Sequence, residues 1–208
     1  LALLETMERT VEGTRADLDA EFLHDFRVAV RRTRSAFSQI KGVLPAEVLN
    51  RFRPGFKWLG RVTGPTRDLD VYLLKLPAYR ESLPPGLQDS LQPLHDFLVR
   101  HQKQEQRKLA RSLATVRCRR LMAAWRDFLE SGWDPHDWPA RAAQPIGTLA
   151  SRRIWKTYRR VVREGTAAGE NSPPEVLHAL RISCKKLRYL MEFFDSLYPQ
   201  KLLRTQIK

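Results

Sequence analysis

The sequence has 208 residues, with 37 lysines and arginines against 23 acidic residues, a formal net charge of +14, and 42% hydrophobic residues. The length allows one or two domains, and the balance of apolar and charged residues supports a buried core. Cys118 and Cys184 form no disulfide framework, no run is apolar enough to span a bilayer, and the surplus of positive charge favours a polyanionic partner.

Taken in chain order, the pattern is helical almost throughout, with no alternating strand and no two-residue hairpin signature. A first helix is predicted from Leu3 to about Thr14, followed by a polar break over Arg15 to Asp19. Asp19 is placed to cap a second helix that runs to about Leu44 and stops before Pro45. A third helix is expected over Ala46 to Val62. Gly64-Pro65-Thr66 reads as a breaker, and a fourth helix follows to about Leu76, ahead of Pro77. After Pro84-Pro85-Gly86 a long polar helix is predicted from Leu87 to Arg117, continuing with a bend through Trp125 to Glu130. The proline-rich stretch from Ser131 to Pro145 reads as a linker, pinned to the core by Trp133 and Trp138. Two further helices are expected over Ile146 to Ala168 and Glu175 to Leu197, with a loop at Gly169 to Pro174. No signal-peptide pattern stands at the start; the first residue is Leu1 rather than Met, which leaves a fragment or a removed leader open.

The decisive feature is an internal repeat. Leu23 to Pro45, LHDFRVAVRRTRSAFSQIKGVLP, aligns without gaps on Leu177 to Pro199, LHALRISCKKLRYLMEFFDSLYP, at an offset of 154. Leu23/Leu177, His24/His178, Arg27/Arg181, Arg34/Arg188 and Pro45/Pro199 are identical, and Arg31/Lys185 and Arg32/Lys186 keep the charge. Apolar positions match in kind, including Phe26/Leu180, Val28/Ile182 and Val30/Cys184, which makes Cys184 a small core residue by expectation. Upstream, Glu12-Gly13-Thr14 recurs as Glu164-Gly165-Thr166. The expected architecture is all-α: one domain over 1–208, made of a first repeat at about 1–130, a linker at about 131–145 and a second repeat at about 146–208. The two helical-bundle repeats are related by an approximate two-fold axis. The offset predicts a second copy of Gly64 to Asp68 at positions 218–222, past Lys208, so the second repeat is expected to be truncated.

On a helical wheel at about 100° per residue, His24, Arg27, Arg31 and Arg34 fall within roughly a quarter of the circumference. Arg32 sits at the edge of that face, and Val30, Thr33, Phe37 and Ile40 face a core on the other side. No acidic residue interleaves the stripe, although like charges at i,i+3 and i,i+4 repel by a few tenths of a kcal/mol each. A merely solvated face mixes signs and has no reason to repeat His-x-x-Arg-x-x-x-basic-basic-x-Arg. Arginine offers a rigid fork that pairs with phosphate oxygens, and cations spread over about two and a half turns suit a chain of phosphates better than a single one.

Other motifs carry less. His24-Asp25, His95-Asp96 and His136-Asp137 are possible metal-ligand pairs, but His178 is followed by Ala179, so the repeat keeps the histidine without the aspartate and no metal is expected. In Arg67-Asp68-Leu69-Asp70 the two carboxylates at i,i+2 do not share a helix face, and they read as capping and as ion pairs that orient cations. No Ser-His-Asp or Cys-His arrangement, glycine-rich phosphate loop or zinc-like cysteine spacing is present, so neither catalytic residues nor a cofactor are expected. Trp58, Trp125 and Trp155 lie in apolar stripes and are expected in the core.

The two His/Arg helices, Phe56 to Leu73 (FKWLGRVTGPTRDLDVYL) and Leu177 to Phe194 (LHALRISCKKLRYLMEFF) together resemble the CHAD domain (conserved histidine α-helical domain) family over nearly the whole chain. The resemblance implies an all-helical fold of two four-helix repeats that binds inorganic polyphosphate in a basic cavity along the pseudo-two-fold, and a non-enzymatic binding module is the first expectation. It places His24, Arg27, Arg31, Arg34, His178, Arg181, Lys185 and Arg188 in that cavity, flanked by Arg32 and Lys186. Lys57 and Arg61 are expected neighbours, with Arg107, Arg111 and Arg117 as further candidates. It also implies a fused or neighbouring triphosphate- or polyphosphate-metabolising enzyme as partner. The cysteine usage fits a reducing, cytoplasmic setting, where association with polyphosphate granules is expected, and no membrane partner is expected. The competing readings are a helical nucleic-acid-binding protein, which the charge supports without any DNA-reading motif, and a phosphate- or polyphosphate-cleaving enzyme.

Overall fold

A computed structural model describes residues 1–40, 42–131, 138–169 and 172–198. Among these there is helix and no strand. The expected roles of Trp133, the His136-Asp137 pair and Pro199 lie outside the described residues. The α-helices are α1 (Ala2–Ala16), α2 (Ala20–Gln39), α3 (Ala46–Val62), α4 (Gly64–Glu81), α5 (Gln92–Leu113), α6 (Val116–Ser131), α7 (Ile146–Ala167) and α8 (Pro174–Phe193). Short 3-10 turns occupy Pro85–Leu91, Ala140–Ala143 and Asp195–Leu197.

Several boundaries follow from local chemistry. Asp19 Oδ1 accepts the backbone N–H of Glu21 at 2.8 Å and so caps α2 as its sequence position suggests. The first helix runs past its predicted end to Ala16 and stops there, where Asp17 takes a left-handed conformation, φ 54°, and the N–H of Leu18 closes onto the carbonyl of Gly13. Gly64-Pro65 starts α4 rather than merely separating two helices, since proline in the first turn gives up an N–H that has no intrahelical partner there. The predicted stop at Pro77 does not occur, and α4 continues to Glu81. Proline inside a helix costs about 3 kcal/mol, which here is opposed by burial of Leu76 and packing of α4 along α5. The predicted single long helix is two, because Thr115 Oγ1 accepts the N–H of Cys118 and caps α6.

Contacts divide the chain into two compact units, Leu1–Ser35 with Ala46–Asp137, and Ala36–Pro45 with Trp138–Lys208. In the first unit α5 packs against α1 and α4, and α3 against α4 and α6. Its core holds Leu4, Met7, Leu23, Phe26, Phe52, Phe56, Leu59 and Leu109. Trp125 sits among Phe52, Phe56 and Phe128 at ring-centroid distances of 4.8, 5.5 and 5.3 Å. Gln106 reaches from α5 to the carbonyl of Thr14 at 2.7 Å, satisfying the end of α1 from inside the unit.

The second unit pairs α7 with α8 around Leu149, Ala150, Leu190 and Phe194, with Ile40, Val43 and Ile154 against them. Its apolar positions are covered less completely than their counterparts. Leu23 is 3% exposed and Leu177 49%; Val30 is buried, while Ile182 and Cys184 are exposed. Cys184 is therefore not a core residue among the described contacts, and Trp155, at 58% exposure, is not one either. A helical wheel fixes which side of α8 is apolar but not whether another element covers it.

Candidate functional site

The basic stripe of α2 lines a cleft of about 320 Å³ in the first unit, bounded by His24, Arg27, Arg31 and Arg34 and, across from them, by Gly60, Thr63 and Arg67. The apolar side of the helix places the stripe: Phe26, Val30, Thr33 and Phe37 are buried, so positions 24, 27, 31 and 34 face the opening. Arg27 is half-buried and donates to Thr63 Oγ1 at 3.0 Å and to the carbonyl of Gly60 at 3.4 Å. Arg67 donates to His24 Nδ1 at 3.0 Å and to the carbonyl of Ala20 at 3.2 Å, which holds the imidazole against the start of α4. Gly60 lets the cations approach the α3 backbone: a Cβ there would lie 2.5 Å from Arg34 Nη1.

The electrostatics are those of a site short of negative charge. Burial lowers the pKa of Arg27; Asp68 opposes that shift, and Arg67, Arg31 and Arg34 push it further down. Among the described residues no acidic side chain lines the cleft. A bound anion relieves the mutual repulsion of these cations. Glu21, His24 and Asp25 bring ligand-type atoms within 4.8 Å of one another on the same helix. Arg67, however, occupies His24 Nδ1 and sets a guanidinium charge beside the ring, an arrangement that opposes a divalent cation and favours an anion.

The Arg67 to Asp70 segment divides as the i,i+2 spacing requires. Asp68 is exposed and acts on Arg27, whereas Asp70 is buried and accepts from Gln102 Nε2 at 3.2 Å. Burial raises the Asp70 pKa, against the hydrogen bond from Gln102, and Asp17 raises it further. A carboxyl with a raised folded pKa holds its proton longer in the folded than in the unfolded state, so stability falls as pH rises from the unfolded value of about 3.9 through the folded one. Asp70→Asn is expected to raise the thermal midpoint at pH 7, and the gain should vanish below the unfolded carboxyl pKa. Melting curves across that range check it.

The remaining sequence candidates divide by location. Lys57 and Arg61 are exposed on α3 and do not line the cleft, and Arg107 and Arg111 are exposed on α5. Arg117 lies over the Trp58 ring at 4.5 Å and is held there by cation–π stacking. Arg32 is exposed at the edge of α2. In the second unit His178, Arg181, Lys185 and Arg188 lie exposed along α8, with Lys185 and Arg188 over the Tyr189 ring and Arg188 3.5 Å from Glu192. Lys186 turns instead toward a separate cleft beside α7. Arg67 and Thr63 were not singled out from the sequence. The available signal was the Arg-Asp pair just after a helix-starting Gly-Pro, which puts a cation in the first turn of α4.

The fold and this cleft define an all-helical protein with a histidine-bearing, arginine-lined opening at the meeting of α2, α3 and α4. The chain belongs to the CHAD domain family, whose pattern matches residues 1–208. It is similar to the crystal structure of the CHAD domain from the plant Ricinus communis, at 24% identity and a TM-score of 0.74, over 99% of this chain and 66% of that one. It is also similar to PptA from Streptomyces chartreusis, at 15% identity and a TM-score of 0.67, over 97% of this chain and 75% of that one. The chain thus spans just under two thirds of the length of the Ricinus communis domain, and at these identities the likenesses speak for the fold. No curated protein matches the sequence. Among the described residues no helix is long and apolar enough to cross a membrane.

Proposed function

We propose that the chain is a non-enzymatic binding module for inorganic polyphosphate. The observation that carries this reading is the cleft in which Arg27, Arg31, Arg34 and Arg67 converge around His24 with no acidic residue among the described residues of its lining. Family membership supports it. So does the repeat: the same His-x-x-Arg-x-x-x-basic spacing stands on α8 as His178, Arg181, Lys185 and Arg188. In this reading the two helices are equivalent members of pseudo-two-fold-related repeats, and each stripe offers its cations to polyphosphate. The module brings polyphosphate to a fused or neighbouring enzyme of triphosphate or polyphosphate metabolism in the cytoplasm.

Long-chain polyphosphate should bind much more tightly than sulfate or orthophosphate at about 150 mM salt, and affinity should fall as salt rises, because binding releases condensed counterions. Equal affinity for orthophosphate and polyphosphate sinks the proposal. Release of orthophosphate by metal-supplemented protein would replace the binding module with a hydrolase.

Gly60→Ala is a sharper probe of the cleft. The added methyl displaces the end of a flexible arginine rather than backbone, and alanine improves helix propensity by about 1 kcal/mol. Stability should hold or rise, while loss of one charge-assisted contact lowers polyphosphate affinity about tenfold. Titration and thermal melting of the same sample separate the two effects.

A further inference from the structure

The second unit contains a basic cleft that the His/Arg repeat does not predict. It measures about 850 Å³, and its cations are Arg153, Lys156, Arg159, Arg160 and Arg163 from α7 and Lys186 from α8. Four of them, at 153, 156, 160 and 163, stand at i, i+3, i+7 and i+10. That is the spacing of 24, 27, 31 and 34 on α2, although the residues around them share no other likeness with that helix. The four fall within about 80° of the helix circumference and span about 15 Å of its length. Among the described residues no acidic side chain lines this cleft. Glu164, the nearest carboxylate in sequence, is held by Arg160 Nε at 2.6 Å.

The site is also built rather than merely charged. Arg153 is half-buried, with Nη2 donating to Gln39 Oε1 at 3.3 Å, while its Nε is buried and has no partner among the described residues. A buried donor without an acceptor is costly. Lys186 lies about 140° around α8 from Arg181 and lines the cleft from the second helix. A single anion would engage two or three of these cations, whereas a stripe of this length engages several linked phosphates.

We infer that the α7 cleft is a second site for a linked-phosphate chain, centred on Arg153, Lys156, Arg160 and Arg163 and independent of the His24 cleft. Calorimetric titration of the 208-residue chain with tripolyphosphate tests it. Lys156→Glu with Arg163→Glu changes exposed side chains, and Lys156→Gln with Arg163→Gln provides a milder pair should charge reversal disturb folding. Either pair should lose one equivalent of bound tripolyphosphate, or weaken it by about tenfold or more, and keep the equivalent that Arg27→Ala with Arg67→Ala removes. Unchanged titration of folded α7 variants overturns the inference, and leaves the reading of the His24 cleft intact if the Arg27/Arg67 variant still loses binding. Loss in the α7 variants alone upholds the inference and overturns that other reading. Orthophosphate binding this cleft as tightly as tripolyphosphate, or ATP binding it more tightly, also overturns the assignment to an inorganic phosphate chain.

Discussion

Replacing Arg27 and Arg181 together by alanine should lower the affinity for long-chain polyphosphate by about 100-fold or more. Hydrogen bonds to charged groups contribute roughly 1.5–3 kcal/mol each, so two arginine contacts correspond to about 3–6 kcal/mol before non-additivity is considered. The fold should survive. Arg27 donates to Thr63 Oγ1, but that hydroxyl also donates to the carbonyl of Leu59 at 2.8 Å, so no buried donor is stranded when the guanidinium goes. Arg181 is exposed. Removing Arg27 also relieves its repulsion with Arg31, Arg34 and Arg67. Equilibrium binding alongside circular dichroism tests the pair, and retained binding by the folded double variant places the site elsewhere. Arg27→Lys separates charge from shape: lysine keeps the charge but loses the fork, and should give an intermediate loss.

Trp125→Ala should be the most destabilising of these substitutions, at about 3–5 kcal/mol in urea or thermal unfolding. The indole is 7% exposed and fills the space between α3 and its own helix, edge-on to Phe52 and stacked on Phe128. No single neighbour can close the cavity left behind, because Phe52 and Phe56 are themselves buried against the rest of the core. Trp155→Ala supplies the contrast. With its ring 58% exposed beside Tyr158, the loss should stay within about 0.5 kcal/mol. An equal cost at both positions would mean that Trp155 is covered in solution by something the described residues do not include.

These two tryptophans also show how far the sequence could be read. Both lie in apolar helical stripes, and periodicity alone cannot tell a stripe that meets a partner from one that does not. The same reasoning placed the cationic face of α2 correctly, because that face is defined by its own helix: the buried set Phe26, Val30, Thr33 and Phe37 fixes the rotation of His24 and the arginines. The bounds of α3 and the capping role of Asp19 were equally local and equally legible. Pro77 was misjudged because packing along α5 offsets a local penalty, and Thr115 because a cap in mid-pattern looks like any other polar residue. Arg67 required tertiary information, since only the fold brings the start of α4 to the start of α2. The Arg153 to Arg163 spacing was present in the sequence, but nothing repeated it at an offset that would have drawn attention to it.

The bond between Arg67 and His24 has one more consequence. A guanidinium has five N–H groups and no lone pair, so the ring nitrogen it meets at 3.0 Å must be the acceptor. When the imidazole is neutral, its single hydrogen is therefore confined to Nε2, a tautomer dictated by the neighbour rather than by the ring itself. The histidine then offers a fixed donor from its other edge. A glutamine, whose amide can turn the same kind of N–H outward while its oxygen meets Arg67, mimics that role more closely than a lysine, which brings charge but nothing for Arg67 to bond.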